Sequence, residues 1–286
     1  MNDLANHIVQ RRLLMGALVC AFLLVGGYLL YVSTPWGHQL DDDAYLGRKA
    51  VSRKAIILDV KLLDHVSKAG LLVAALVLFT IAAARRCALV GLIAVVALGC
   101  AIIGAEFLKH HLPWRALVPD DKLLDRRFHV ETYPSGHATI GTSLALSLLL
   151  VSSSRWRPWL AVAAGGISAI FATAVLFAGW HRPSDALGAL AWSGLCMNVA
   201  ATFAVRLRGR PGPSTAHPGR AILTSLGFAI LVSAVTWQMA ATGAPAYPHG
   251  DLPFFVLTGL IIVGAFSLSA WYGWQLRAVD WSQADL

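Results

Sequence analysis

Eight apolar runs, most of them close to twenty residues long, decide what this chain can become. They fall at about 13–32, 66–84, 88–108, 137–153, 159–178, 184–205, 221–241 and 254–274. About twenty apolar residues let a helix cross a bilayer core, where each backbone amide must find its partner within the protein. The composition agrees: 57% of residues are hydrophobic and 13% charged, against roughly 45–50% and 25% in soluble domains. The expectation is an all-α polytopic membrane bundle of eight transmembrane helices.

The net charge of +8 comes largely from clusters at the ends of runs: Arg11-Arg12, Arg85-Arg86, Arg155 with Arg157, and the stretch from Arg206 to Arg220. Alternating the eight runs puts all of these on one side, the pattern of a cytoplasmic face. Both termini then lie inside, and Tyr28, Tyr31 and Trp36 form an interfacial belt at the outer end of an uncleaved first span. No basic stretch is long, polar and interleaved with aromatics, so nucleic acid is not an expected partner. Cys20, Cys87, Cys100 and Cys196 lie in or beside apolar runs without CxxC spacing and read as small buried hydrophobes. Asp41-Asp42-Asp43 falls in an outer loop expected over 34–54. It reads as a solvated tip rather than a site for a hard cation. Residues 56–63 carry Ile56, Val60 and Leu63 on one face, as a helix lying at the interface does.

Two outer segments carry the chemistry. In Tyr133-Pro134-Ser135-Gly136-His137, Ser135 can cap the following helix and Gly136 permits close backbone approach, so an imidazole and free N–H groups meet at a helix N-terminus. In His181-Arg182-Pro183-Ser184-Asp185, one helical turn stacks His181 on Asp185, and a carboxylate holding one ring nitrogen leaves the other free to attack. The polar loop expected over 109–133 holds Lys109, Arg115, Lys122, Arg126 and Arg127 with His110, His111 and His129. Cations outside run against the topology rule and suggest a phosphate site. His110-His111 has no carboxylate or thiol at ligand spacing, so no metal is expected.

Pro134-Ser135-Gly136-His137, the His181–Asp185 pair and the preceding Lys109 and Arg115 together resemble the type 2 phosphatidic acid phosphatase superfamily, integral-membrane lipid phosphatases related to vanadium haloperoxidases. The resemblance covers about 109–205. It implies a six-helix core over 1–205, leaving a cytoplasmic linker at 206–220 and two extra helices within 221–286. It also implies a metal-independent reaction with no cofactor. By resemblance His181 is the nucleophile that becomes phosphohistidine, Asp185 orients it, and His137 is the acid and then the base. Lys109, Arg115, Ser135 and Gly136 would hold the phosphoryl group. The chain departs from the family twice. Lys109 and Arg115 are one residue closer than usual, with Ala116 after the Arg. In the third motif Ala174 and Val175 stand where the family has Ser-Arg. Arg182, Arg126 and Arg127 are the candidate substitutes, and Arg182, tethered beside His181, is preferred.

The expected function is a lipid phosphatase acting on a phosphomonoester or diphosphate: polyprenyl diphosphate, phosphatidic acid or phosphatidylglycerol phosphate. The expected site faces the periplasm or exterior of a bacterial inner membrane. A phosphotransferase of the same fold is the alternative, and a weakly catalytic phospholipid-binding or transport protein the second.

Overall fold

The structure, a computed structural model, describes residues 2–112, 132–208, 210–211, 227, 230 and 251–281. Helix α1 (Asn2–Gly27) runs on through a π-helical turn at Tyr28–Val32. It turns Leu13 and Cys20 inward, while Leu18, Phe22 and Leu23 face out. Thr34 then starts α2 (Pro35–Gly47): its hydroxyl accepts from Gly37 N–H at 3.1 Å, and Pro35 occupies the first turn, where its missing N–H has no cost.

That helix corrects the loop expected at 34–54. Asp41 is 1% exposed and Asp42 8%, so neither is a solvated tip. Both face protein partners across a helical turn. A short 3-10 turn, Arg48–Ala50, leads to α3 (Arg53–Asp64), capped by Ser52, which buries Leu63. The chain bends by 71° before α4 (Lys68–Ala84).

Helix α5 (Ala88–His111) outlasts its apolar run, so Lys109, His110 and His111 ride on its last turn rather than in a loop. The remaining helices are α6 (Gly136–Val151), α7 (Arg157–Phe177), α8 (Pro183–Arg208) and α9 (Asp251–Gln275). The two-residue strands β1 (Arg210–Pro211) and β2 (Val279–Asp280) pair antiparallel.

Among the described residues five helices are long and apolar enough to cross a membrane, and a sixth joins them if α3 and α4 count as one bent span. The chain therefore fits an integral membrane protein. The expected run at 221–241 lies outside the described residues apart from Gly227 and Ile230. Helix α6 is apolar but only 16 residues long, about 24 Å at 1.5 Å per residue. Most of its length is buried, with Leu146, Leu149 and Leu150 wholly enclosed. It forms the axis of the bundle, packed by α5, α7 and α8, while α1 lies along α8. Helix α9 packs on α7 and also reaches α2, so it is built into the bundle.

At the opposite end Arg157 ties several segments together. The buried Arg157 guanidinium donates to Ser152 O at 2.8 Å, to Val279 O at 2.5 Å and to Leu276 O, while Trp281 Nε1 donates to Leu150 O at 2.6 Å.

Candidate active site

The N-terminal ends of α6 and α8 are joined where Ser135 N–H donates to Asp185 O at 3.0 Å. Ser135 is buried and its hydroxyl caps α6, accepting from Ala138 N–H at 3.5 Å. Two helix N-termini thus converge, and a helix N-terminus favours an anion.

The i, i+4 pairing expected in the second segment is present. His181 Nδ1 lies 3.1 Å from Asp185 Oδ2, both groups being buried. The same carboxylate oxygen accepts from Arg182 N–H at 3.0 Å, and the Thr132 side chain also bonds this group. An Asp185 carboxylate on Nδ1–H leaves Nε2 of His181 with its lone pair.

The turn before His181 is held just as closely. Trp180 and His181 N–H both donate to Val175 O, at 2.9 and 3.1 Å. Ala174 and Val175 are fully buried apolar residues of α7, so this helix brings no cation to the site. Gly179 adopts φ +73°, a conformation glycine takes without strain. Any side chain there would stand 2.7 Å from Arg48 Nε.

His137, in the first turn of α6, meets Trp180 edge-on with ring centroids 5.2 Å apart. Its ring lies within electrostatic reach of His181 and Lys109. Lys109 arrives from the last turn of α5, paired with Glu106 at 2.7 Å. Its ammonium nitrogen lies only 3.2 Å from where a Gly136 side chain would begin, and Glu106 Oε1 only 2.7 Å. The structure therefore brings together Lys109, Ser135, Gly136, His137, His181 and Asp185. Arg115, with Arg126 and Arg127, lies outside the described residues.

Arg182 is also at the site, held by a carboxylate of α2. It is buried, and its Nε donates to Asp42 Oδ1 at 2.6 Å. Burial works against its charge, but Asp42, Asp185 and Asp41 outweigh that and hold its pKa above the ordinary arginine value. Asp41 accepts from Ser184 N–H at 2.9 Å and from Ser184 Oγ at 2.5 Å. His38 Nε2 lies 3.4 Å from Asp42, and Tyr45 donates its hydroxyl proton to Gly179 O at 3.1 Å.

One face of α2 thus grips the whole turn from Gly179 to Ser184. The sequence carries a signal for it, since His38, Asp41, Asp42 and Tyr45 follow i, i+3, i+4, i+7 spacing. Among the described residues no group of three or more His, Cys, Asp or Glu is arranged to hold a metal ion. Those aspartates bond the chain itself.

Residues 116–208 match the family model of the PAP2 superfamily. The likeness to PAP2 proteins is confined to that stretch. This is the family that the two motifs resemble. The PAP2 match spans both motifs and the α6–α8 framework, and it begins beyond Lys109 and Arg115. PAP2 proteins are generally phosphatases or phosphoesterases, so the coarse reading is a phosphatase-type enzyme in a membrane helical protein. No curated protein and no solved structure gives a match.

Proposed function

We propose that this protein is a membrane-embedded lipid phosphatase that hydrolyses a lipid phosphomonoester or diphosphate through a phosphohistidine. The observation that carries the reading is the His181–Asp185 pair at 3.1 Å, set where the N-termini of α6 and α8 converge beside Lys109.

His181 Nε2 attacks phosphorus, the bond to the leaving oxygen breaks, and protonated His137 gives that oxygen its proton. The products are the lipid alcohol, or the lipid monophosphate from a diphosphate, and phosphohistidine. Neutral His137 then takes a proton from water. The hydroxide attacks phosphorus, the P–N bond breaks, and its electron pair returns to Nε2. Lys109, Arg115 and the N–H groups at the start of α6 meet the charge on the transferring group. Phosphoryl transfer asks mainly for such positioning and electrostatic stabilisation, and this reading places no metal ion or cofactor in either step.

A lipid substrate is supported by an apolar groove of about 720 Å³ between α1, α8 and α9. Phe22, Leu23, Leu187 and Leu260 help line it, and Tyr133 and Ser184 stand at its outer end. Polyprenyl diphosphate, phosphatidic acid and phosphatidylglycerol phosphate all suit the reading. We assign eight spans, cytoplasmic termini, and a site on the periplasmic or exterior face of a bacterial inner membrane. The basic clusters between runs support that assignment.

The test is phosphate release from these lipids by detergent-purified protein with chelator present. Wild-type protein should release phosphate and form an acid-labile phosphoenzyme, and His181→Ala should do neither. Equal release by His181→Ala would overturn the assignment, and phosphate appearing on an added lipid alcohol would mark a transferase.

A further inference from the structure

Helix α2 lies outside the PAP2 match, yet it supplies the side chains that hold the turn carrying the nucleophile. We propose that Asp41 and Asp42 are positioning residues for phosphoryl transfer, gripping Arg182-Pro183-Ser184 from α2 and so fixing the aim of His181. The proposal rests on the function given above. It also gives Arg182 a different part from the one its sequence position suggested, as the far end of the clamp rather than a ligand of the substrate phosphate.

The linkage is short and continuous. Asp42 Oδ1 receives Arg182 Nε at 2.6 Å, and Arg182 N–H in turn donates to Asp185 Oδ2 at 3.0 Å. That oxygen is the one facing His181 Nδ1 at 3.1 Å. On the other side of Pro183, Asp41 takes both polar hydrogens of Ser184. Asp185 follows directly in the chain, and its carbonyl holds Ser135 at the head of α6. The bonds from Asp41 and Asp42 to the turn therefore land next to the His181–Asp185 pair.

The energetic logic is one of compensation. A buried carboxylate with no partner is expensive, and two of them side by side more so. Asp41 and Asp42 are buried only because the turn brings a guanidinium, an N–H and a hydroxyl to meet them. Removing the turn from its place would strand the Asp42 carboxylate and leave Asp41 without its Ser184 hydrogen bonds, so the clamp resists even small displacements. Such resistance matters here because a misplacement of about 1 Å at a reacting group can cost about 100-fold in rate. A residue that acts through aim alone lowers kcat and leaves substrate affinity alone.

The experiment is a double-mutant cycle on the full-length protein in detergent. It uses Asp42→Asn, Arg182→Gln and the pair together, with Asp41→Ala and Asp41→Asn alongside. Each of Asp42→Asn, Arg182→Gln and Asp41→Ala should lower kcat at least tenfold with KM within about twofold of wild type. The Asp42–Arg182 double variant should be no slower than the slower single one. Asp41→Asn keeps an acceptor for Ser184 N–H and should lose less than Asp41→Ala. Additive losses, or a raised KM with kcat kept, would overturn the clamp and return Arg182 to the phosphate.

A second reading separates this idea from the assigned reaction. Diethylpyrocarbonate labelling of His181, followed by mass spectrometry, needs no substrate. Asp42→Asn and Asp41→Ala should free the ring and raise its labelling rate at least threefold in protein that remains monodisperse. Labelling equal to wild type would sink the clamp whatever the substrate. Wild-type protein that releases no phosphate while its variants label faster would sink the phosphatase reading alone.

Discussion

Gly136 shows what one missing side chain does. A β-carbon there would meet Glu106 Oε1 at 2.7 Å and Lys109 Nζ at 3.2 Å, both of them tips of flexible side chains. Gly136→Ala should therefore fold, with a melting temperature within a few degrees of wild type, because those tips can swing aside. Swinging aside moves the ammonium away from the α6 N-terminus, so phosphate release should fall by roughly 10- to 100-fold. Thermal melts and turnover measured on the same sample check both halves. A loss of stability with turnover intact would show that Gly136 serves packing. At this scale the sequence was informative wherever chemistry depends on neighbours in the chain. His181 and Asp185 are one turn apart, and Ser135 precedes its helix directly. Thr132 was not legible, because its partner Asp185 lies in another segment.

At the scale of elements, α2 is the part that sequence reading misplaced. Three adjacent aspartates after Pro35 and Gly37 have the composition of a solvated loop, and burial by tertiary partners overrode that composition. What makes the helix possible is the distant turn at 179–184, which no local pattern announces. Burial first, and then the nearby Asp185 charge, raise the Asp41 pKa to about 7 against opposing bonds from Ser184 and the charge of Arg182. Asp42 and His38 lie on the same helix face, Tyr31 comes from the turn below, and Tyr133 precedes α6.

A carboxyl with a raised folded-state pKa favours the fold while protonated and loses that contribution as pH rises through about 7. His38 works in the other direction. Burial first lowers its pKa, against the pull of Asp42, so it weakens the fold as pH falls below its ordinary value. The Asp41 effect is isolated by comparison with Asp41→Asn. The melting temperature of the variant relative to wild type should climb from pH 5 to pH 8, and a flat difference would remove Asp41 from this account.

Across the whole molecule, the end opposite the site is where stability can be changed without touching chemistry. Arg157 satisfies three backbone carbonyls from the α6–α7 turn and the segment after α9. Leaving a buried carbonyl without its donor costs about 1–3 kcal/mol. Arg157→Gln should therefore lower the melting temperature by several degrees. KM and kcat should remain at wild-type values well below that temperature, since the site lies at the other end of α6, about 24 Å away at 1.5 Å per residue. Melting curves and steady-state kinetics on one preparation test the separation.

The bundle itself was legible in the spacing of apolar runs, but the way its ends are tied was not. The packing of α9 against α2 has a consequence for how the protein is made. The clamp that aims the nucleophile belongs to the first sixth of the chain, and the helix supporting it belongs to the last. A ribosome must have passed residue 251 before the two can meet, so a chain cut before α9 lacks the surface on which α2 packs. The clamp proposed for α2 therefore meets its support only after α9 has been made.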